Sequence, residues 1–213
     1  ADGYPGYKKF ISDLRHPDRK EPVQMSASAG DATHRMLDAL CQAGYIMQLN
    51  GGYERVNRSM EMYLTGLWFE EFVYHAVLQA GADAGLAGVV LQWQAKQYNG
   101  TSEIDVIALK GDRLLFVSCK TTKPDFQLSN QKHRNALIAH LHEADNIPDH
   151  FGASGDKVAL VVTMDLIDEE QDNKARYEKL FGLADVLRVE LLTLEDIGWR
   201  QTVERFRKIL EDM

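Results

Sequence analysis

Apolar and polar positions alternate along this chain with two periods, and the switches between them mark its elements. Met36, Leu37, Leu40 and Cys41 recur at helical spacing and predict a helix over 32–43, with Asp31 as its N-cap and Gly44 as its stop. Asn50-Gly51-Gly52 separates two short apolar runs, Tyr45–Leu49 and Tyr53–Val56, and predicts a hairpin. Over 61–79 apolar residues follow the 3.6 period through Leu64, Leu67, Trp68, Phe72, Val73, Ala76 and Val77, which predicts a long helix carrying Glu70 and Glu71. Gly81, Gly85 and Gly88 read as a loose connection, followed by a strand over 89–94 and a turn centred on Gly100. Ser102–Leu109 and Leu114–Lys120 read as a β-hairpin. A helix over 130–144 with Leu137, Ile138 and Leu141 comes next, then the continuous apolar run Val158–Val162 of a buried strand. A helix over 172–182, a strand over 186–192 and a helix over 198–212 complete the pattern.

From residue 61 the order is α-β-β-β-α-β-α-β-α, which predicts an α/β sandwich with a mixed sheet. Residues 1–60 read as an appendage: an arm broken by Pro5, Pro17 and Pro22 with a short helix near Tyr7–Leu14, then the helix and hairpin. Helix followed by hairpin resembles the end of a winged-helix unit; a helix and hairpin that pack on the main domain is the alternative.

Composition narrows the class. Hydrophobic residues make up 45% and charged residues 26% of 213 residues, the balance of a globular protein. No apolar run reaches the roughly 18 residues of a membrane span, and no signal-peptide pattern opens the chain. Two cysteines, Cys41 and Cys119, provide neither a disulfide framework nor a four-ligand zinc site, so a reducing cytoplasmic setting is expected. The net charge of −8 argues against a general nucleic-acid coat. The distribution is uneven, though. Six bases (Lys110, Arg113, Lys120, Lys123, Lys132, Arg134) stand against two acids between 110 and 134, whereas 165–172 holds five acids and no base. The acidic run reads as a loop and helix start, lacking the glycine and ligand order of a calcium loop.

The hairpin carries the chemistry. With Gly111-Asp112 as its turn, Asp105 faces Ser118 and Glu103 faces Lys120, all on one face because side chains alternate. Ile104, Val106, Ala108, Leu115, Val117 and Cys119 form the opposite, apolar face. Carboxylates at that density suit a hard divalent cation such as Mg2+ or Mn2+. A neighbouring lysine orients the attacking water or holds a phosphate oxygen. The plainer reading is a cross-strand Glu103–Lys120 ion pair worth under about 1 kcal/mol.

Asp105 followed by Ser118-Cys119-Lys120, behind a helix bearing Glu70, resembles the PD-(D/E)XK nuclease fold. Leu64-Thr65-Gly66-Leu67-Trp68-Phe69-Glu70, Glu103-Ile104-Asp105-Val106 and Ser118-Cys119-Lys120-Thr121 together resemble one group more closely. These are the CRISPR-associated nucleases activated by cyclic oligoadenylate, and the likeness extends from about Gly30 to Met213. It implies a restriction-endonuclease-like α/β/α sandwich over 61–213 that hydrolyses DNA, with RNA open as an alternative, as a nicking or degrading effector of antiviral defence. By the resemblance Asp105 binds the metal, Glu70 and Glu103 add ligands, Ser118 is a weak ligand or water holder and Lys120 orients the nucleophile. Lys123 and Lys132 would meet phosphates. A homodimer is implied, as is control by cyclic oligoadenylate through a sensor domain absent from this chain, so a C-terminal fragment or truncated relative is expected.

Ser118 departs from the pattern, which has Glu or Asp there. A hydroxyl is a poor substitute for a charged ligand. A catalytically silent nucleic-acid-binding domain is therefore the rival, and a regulator acting through Asp31–Val56 is a third. His133 and His140 share a helix face without a third ligand, and Cys119 is expected to be buried and inert.

Overall fold

The computed structural model describes residues 10, 13–14, 22–24, 31–49, 51–56, 62–95 and 98–213. The side chains of 32, 55, 93–95, 98–100, 149–150 and 169 are left out of the description. The chain forms two compact units, Ala1–Trp68 and Phe69–Met213.

In the first unit, helix α1 (Asp31–Gln42) leads through Gly44 into the hairpin β1 (Ile46–Leu49) and β2 (Gly52–Arg55). Gly44 and Gly51 both adopt positive φ, 74° and 98°, which suits glycine at a helix end and at a tight turn. Asp31 is the first helical residue rather than its cap. Val23 adds a single antiparallel bridge to Tyr53. Phe10, Leu14, Val23, Leu37, Ile46, Tyr53 and Leu64 form this unit's core. Most of the expected helix near Tyr7–Leu14 lies outside the described residues; Phe10, Asp13 and Leu14 are helical. The helix expected over 61–79 divides: Tyr63–Leu67 is one π-helical turn, and α2 (Trp68–Gln79) is regular α-helix.

The second unit is built on a five-stranded sheet, in the order β3 (Ala84–Ala95), β4 (Tyr98–Lys110), β5 (Arg113–Lys120), β6 (Lys157–Val162), β9 (Val189–Leu192). β3, β4 and β5 are antiparallel, while β5, β6 and β9 are parallel. Two expectations fail here: Gly85 and Gly88 lie inside β3, and Gly100 lies inside β4 opposite Trp93 rather than at the centre of a turn. Pairing with a long neighbouring strand overrides the turn preference of an isolated glycine.

Helix α3 (Gln131–Phe151), capped by the Asn130 side chain, covers one sheet face together with α4 (Glu178–Leu187). Leu137, Leu141, Ala144, Leu180 and Ala184 pack with Phe116, Val158, Leu160 and Val162. Helices α2 and α5 (Trp199–Glu211) carry the other buried stripes, Phe69, Val73 and Val77 and then Val203, Phe206 and Leu210, and meet where Trp199 sits edge-on to Phe72. The acidic run starts one short turn, the 3-10 segment Glu169–Gln171 capped by Asp168, rather than a full helix. It forms a small hairpin, β7 (Ile167–Asp168) and β8 (Lys174–Ala175), and α4 starts only at Glu178. Glu195 pins that hairpin, accepting from the amides of Leu166 and Ile167 at 3.2 and 3.4 Å, and Arg176 reaches Asp165 at 3.0 Å. The regular helix expected over 172–182 therefore begins only past the β8 pairing. Among the described residues no helix is long and apolar enough to cross a membrane.

Candidate active site

The β4–β5 hairpin turns at Gly111-Asp112 as expected, with Gly111 at φ 62°, and its ladder runs from Lys110–Arg113 to Val106–Val117. Past that pair a side chain takes over the pairing. Asp105 Oδ2 accepts the Cys119 amide at 2.5 Å and the Ser118 hydroxyl at 3.4 Å. Both bonds fall on one oxygen, and no described residue bonds Oδ1. Asp105 is thus held in one orientation by the end of the neighbouring strand.

Ser118, Lys120 and Phe116 share one β5 face; Leu115, Val117 and Cys119 point the other way. That much of the expected alternation is seen. Ile104 instead packs in the cluster of Phe116, Leu137 and Leu160, where the β4–β5 ladder has ended. The face bearing Ser118 is also not open to solvent. Ser118 is 6% exposed, because α3 lies over β5 and β6. Its hydroxyl is committed to Asp105.

Burial and like charge shape the electrostatics. Desolvation, then Asp105, then Glu103 push the Glu70 carboxyl from 4.5 up to about 7, against a smaller opposing effect of Lys120. Asp105 is raised as well, chiefly by burial, although the Cys119 amide and Lys120 work against it. The Cys119 thiol is buried and lies well above its usual range, through desolvation and then the Asp105 and Glu70 charges. It is unreactive for that reason. Glu70, Glu103, Asp105 and Lys120 thus feel one another's charge near the carboxyl end of β5, where Ser118 bonds Asp105; that is the usual ligand-binding end of a parallel strand.

Lys123 and Lys132 are exposed on the segment beyond. That segment is stitched to β6: Thr163 Oγ1 accepts from the Thr122 amide at 2.7 Å and donates to the Thr122 carbonyl at 3.0 Å. His140 is half-buried and lies 3.3 Å from Glu143, so it is not a plain surface histidine. The expected Glu103–Lys120 pair gives way to another. Lys120 Nζ stands 3.5 Å from Glu143 on α3. No spacing rule connects residues 120 and 143, since their meeting depends on how α3 packs across β5.

Among the described residues no three carboxylate, imidazole or thiolate groups close around an ion. Mg2+ typically uses one or two carboxylates and keeps several waters. Asp105 with its open Oδ1, the crowded Glu70 carboxyl and the exposed Glu103 fit that kind of ion in donor type and in charge.

Residues 57–174, more than half of the chain, match the model of the Card1-like endonuclease domain. The chain belongs to that family. The domain is therefore an endonuclease domain by family. Among solved structures the chain is similar to the protein VC1899 from Vibrio cholerae, with TM-score 0.69 and 16% identity over 99% of this chain and 52% of that one. It is also similar to Can2 from Sulfobacillus thermosulfidooxidans, solved with cyclic tetra-adenylate, with TM-score 0.56 and 13% identity over 88% of this chain and 47% of that one. At those identities the likeness is one of fold. The chain spans about half the length of each of these two proteins. No curated protein matches it in sequence.

Proposed function

We propose that this Card1-like domain hydrolyses phosphodiester bonds in DNA with a divalent cation, Mn2+ or Mg2+, at the end of the β4–β5 hairpin. One observation carries the reading. Burial first, and then the charges of Asp105 and Glu103, push the Glu70 carboxyl up to about 7 in an endonuclease-family domain, against the opposing charge of Lys120. Carboxylates that destabilise one another in the empty site are stabilised by a cation. When bound, such an ion lowers the pKa of a water and offsets charge on the phosphate.

Asp105 would hold such an ion through Oδ1, because Cys119 and Ser118 occupy Oδ2. Glu70 and Glu103 complete the charge, directly or through water. Ser118 keeps Asp105 aimed, which is the use left to a hydroxyl where the wider fold has an acid. Lys120 Nζ orients the attacking water or holds a non-bridging phosphate oxygen. Lys123 and Lys132 meet neighbouring phosphates. Working as a homodimer, and control by a cyclic oligoadenylate through a domain outside this chain, belong to the same proposal; the likeness to Can2, solved with cyclic tetra-adenylate, supports that control.

Ser118 favours a second reading, a domain that binds nucleic acid without cutting it. Incubating supercoiled plasmid with the chain, in Mn2+ and in chelator, separates the two. Nicking that needs Mn2+ and is lost in Asp105→Asn supports hydrolysis. DNA binding without nicking supports the second reading.

A further inference from the structure

The Lys120 ammonium is held from α3 rather than from its own hairpin. Lysine has four rotatable bonds and loses more rotamer freedom than most side chains when fixed, so one held to a task needs a partner. Asp105 and Glu103 are the acids that strand alternation puts beside it. The ion pair Lys120 makes among the described residues is instead with Glu143 Oε2, at 3.5 Å. An exposed pair alone fixes little, and Glu143 is 60% exposed. The same Oε2 is met from the preceding turn of α3 by His140 Nδ1, at 3.3 Å. His140 lies on the stripe that packs α3 on the sheet, in register with Leu137 and Ala144, so the oxygen is anchored to the core.

We propose that Glu143, steadied by His140, is a positioning residue: it fixes the Lys120 ammonium on the α3 side of the site and keeps it from folding onto Asp105. A lysine collapsed on Asp105 would neutralise the carboxylate that takes the cation. Held by Glu143, it stays beside the site and points where a phosphate oxygen or attacking water would lie. This arrangement rests on the reading of Lys120 given under the proposed function.

Trace acetylation of the whole chain in chelator, read by peptide mass spectrometry, tests the arrangement without metal or turnover. Lys120 in Glu143→Gln should label about threefold faster relative to Lys179, and about twofold faster in His140→Ala. An unchanged ratio in Glu143→Gln overturns the proposal. Plasmid nicking in Mn2+ gives the second arm. Glu143→Gln should lower kcat about fivefold with KM unchanged, and should cost nothing further in a Lys120→Ala background. An equal loss in both backgrounds means that Glu143 acts elsewhere and overturns it too. If Lys120→Ala nicks as fast as the parent, the role assigned to Lys120 fails, while the labelling ratio still decides whether Glu143 holds it.

Discussion

The two ends of the β4–β5 hairpin treat their carboxylates in opposite ways. At the turn, Asp83 accepts the Gly111 amide at 2.7 Å and lies 3.5 Å from Lys110, whose ammonium also donates to the Gly81 carbonyl at 2.6 Å. That amide first, and then Lys110, hold the Asp83 carboxyl below its usual range. At the open end Glu70 and Asp105 are driven up, because burial and mutual repulsion outweigh one amide and one lysine. The turn end is therefore balanced as it stands. The open end carries an uncompensated charge inside a packed sheet, an arrangement that is costly alone and useful for capturing a cation.

The largest effect should come from the charge at the centre of the open end. Asp105→Asn keeps an acceptor for the Cys119 amide and removes the charge. Nicking should fall at least a hundredfold, roughly the scale of losing one positioned electrostatic group. The circular dichroism spectrum should not change. Cleavage that persists in this variant would place the chemistry elsewhere.

Ser118→Glu comes next. A carboxylate on a solvent-facing strand position would simply add a ligand, but Ser118 is buried beneath α3. The variant buries a further charge beside Asp105, at a cost on the order of 1–3 kcal/mol or more. At about 2–4 °C per kcal/mol for a chain of this size, the apo Tm should drop by several degrees. Saturating Mn2+ should recover more of that drop than it adds to the parent Tm. A variant as stable as the parent in chelator would show that the α3 covering of this position is wrong.

This contrast also marks where the sequence was readable. The Gly111-Asp112 turn brought Asp105 to Ser118, because a hairpin register is set by neighbouring residues, whereas alternation failed at Ile104 once the ladder had ended. The helix carrying Glu70 was readable from its apolar period for the same reason. What was not readable depends on packing between distant elements. The burial of Ser118 and the Lys120–Glu143 pair both follow from α3 crossing β5, and Gly85 and Gly100 are drawn into strands by a long partner. The acidic run from Asp165 misled because its charges are answered by Arg176 and by one 3-10 turn, whose Glu170 amide donates to Asp168, rather than by the long helix expected.

A smaller, titratable effect distinguishes the two ends without any assay of cleavage. Glu70 has its folded pKa raised from 4.5 to about 7. The stability that its protonated form contributes is complete below about 4.5 and is lost as pH rises through about 7. The apo Tm should therefore decline across that window, and Glu70→Gln should flatten part of the decline, the remainder belonging to Asp105. Mn2+ must displace the same proton, so its affinity should climb over the same range. Isothermal titration at pH 5.5 and 7.5 measures it, and equal affinities at the two values would remove Glu70 from the site.

The smallest effect belongs to Asp83, and its sign is opposite. Its folded pKa is lowered, so its contribution is present above the ordinary carboxylate value of 3.8 and disappears as pH falls through the lowered one. Asp83 is exposed, and salt screens its pair with Lys110. Asp83→Asn should lower Tm at pH 7 by no more than about 2 °C, the scale of a surface substitution, with nicking unchanged. At pH values below the lowered one parent and variant should coincide. Repeating the pH 7 melt in 1 M salt separates the two supports that Asp83 gives the turn. Salt should reduce the part due to Lys110 and leave the Gly111 amide bond, so the difference should shrink without vanishing. If Asp83→Asn instead reduced nicking as Asp105→Asn does, the turn and the open end would be coupled through the hairpin, and the division between a balanced end and a charged one would have to be abandoned.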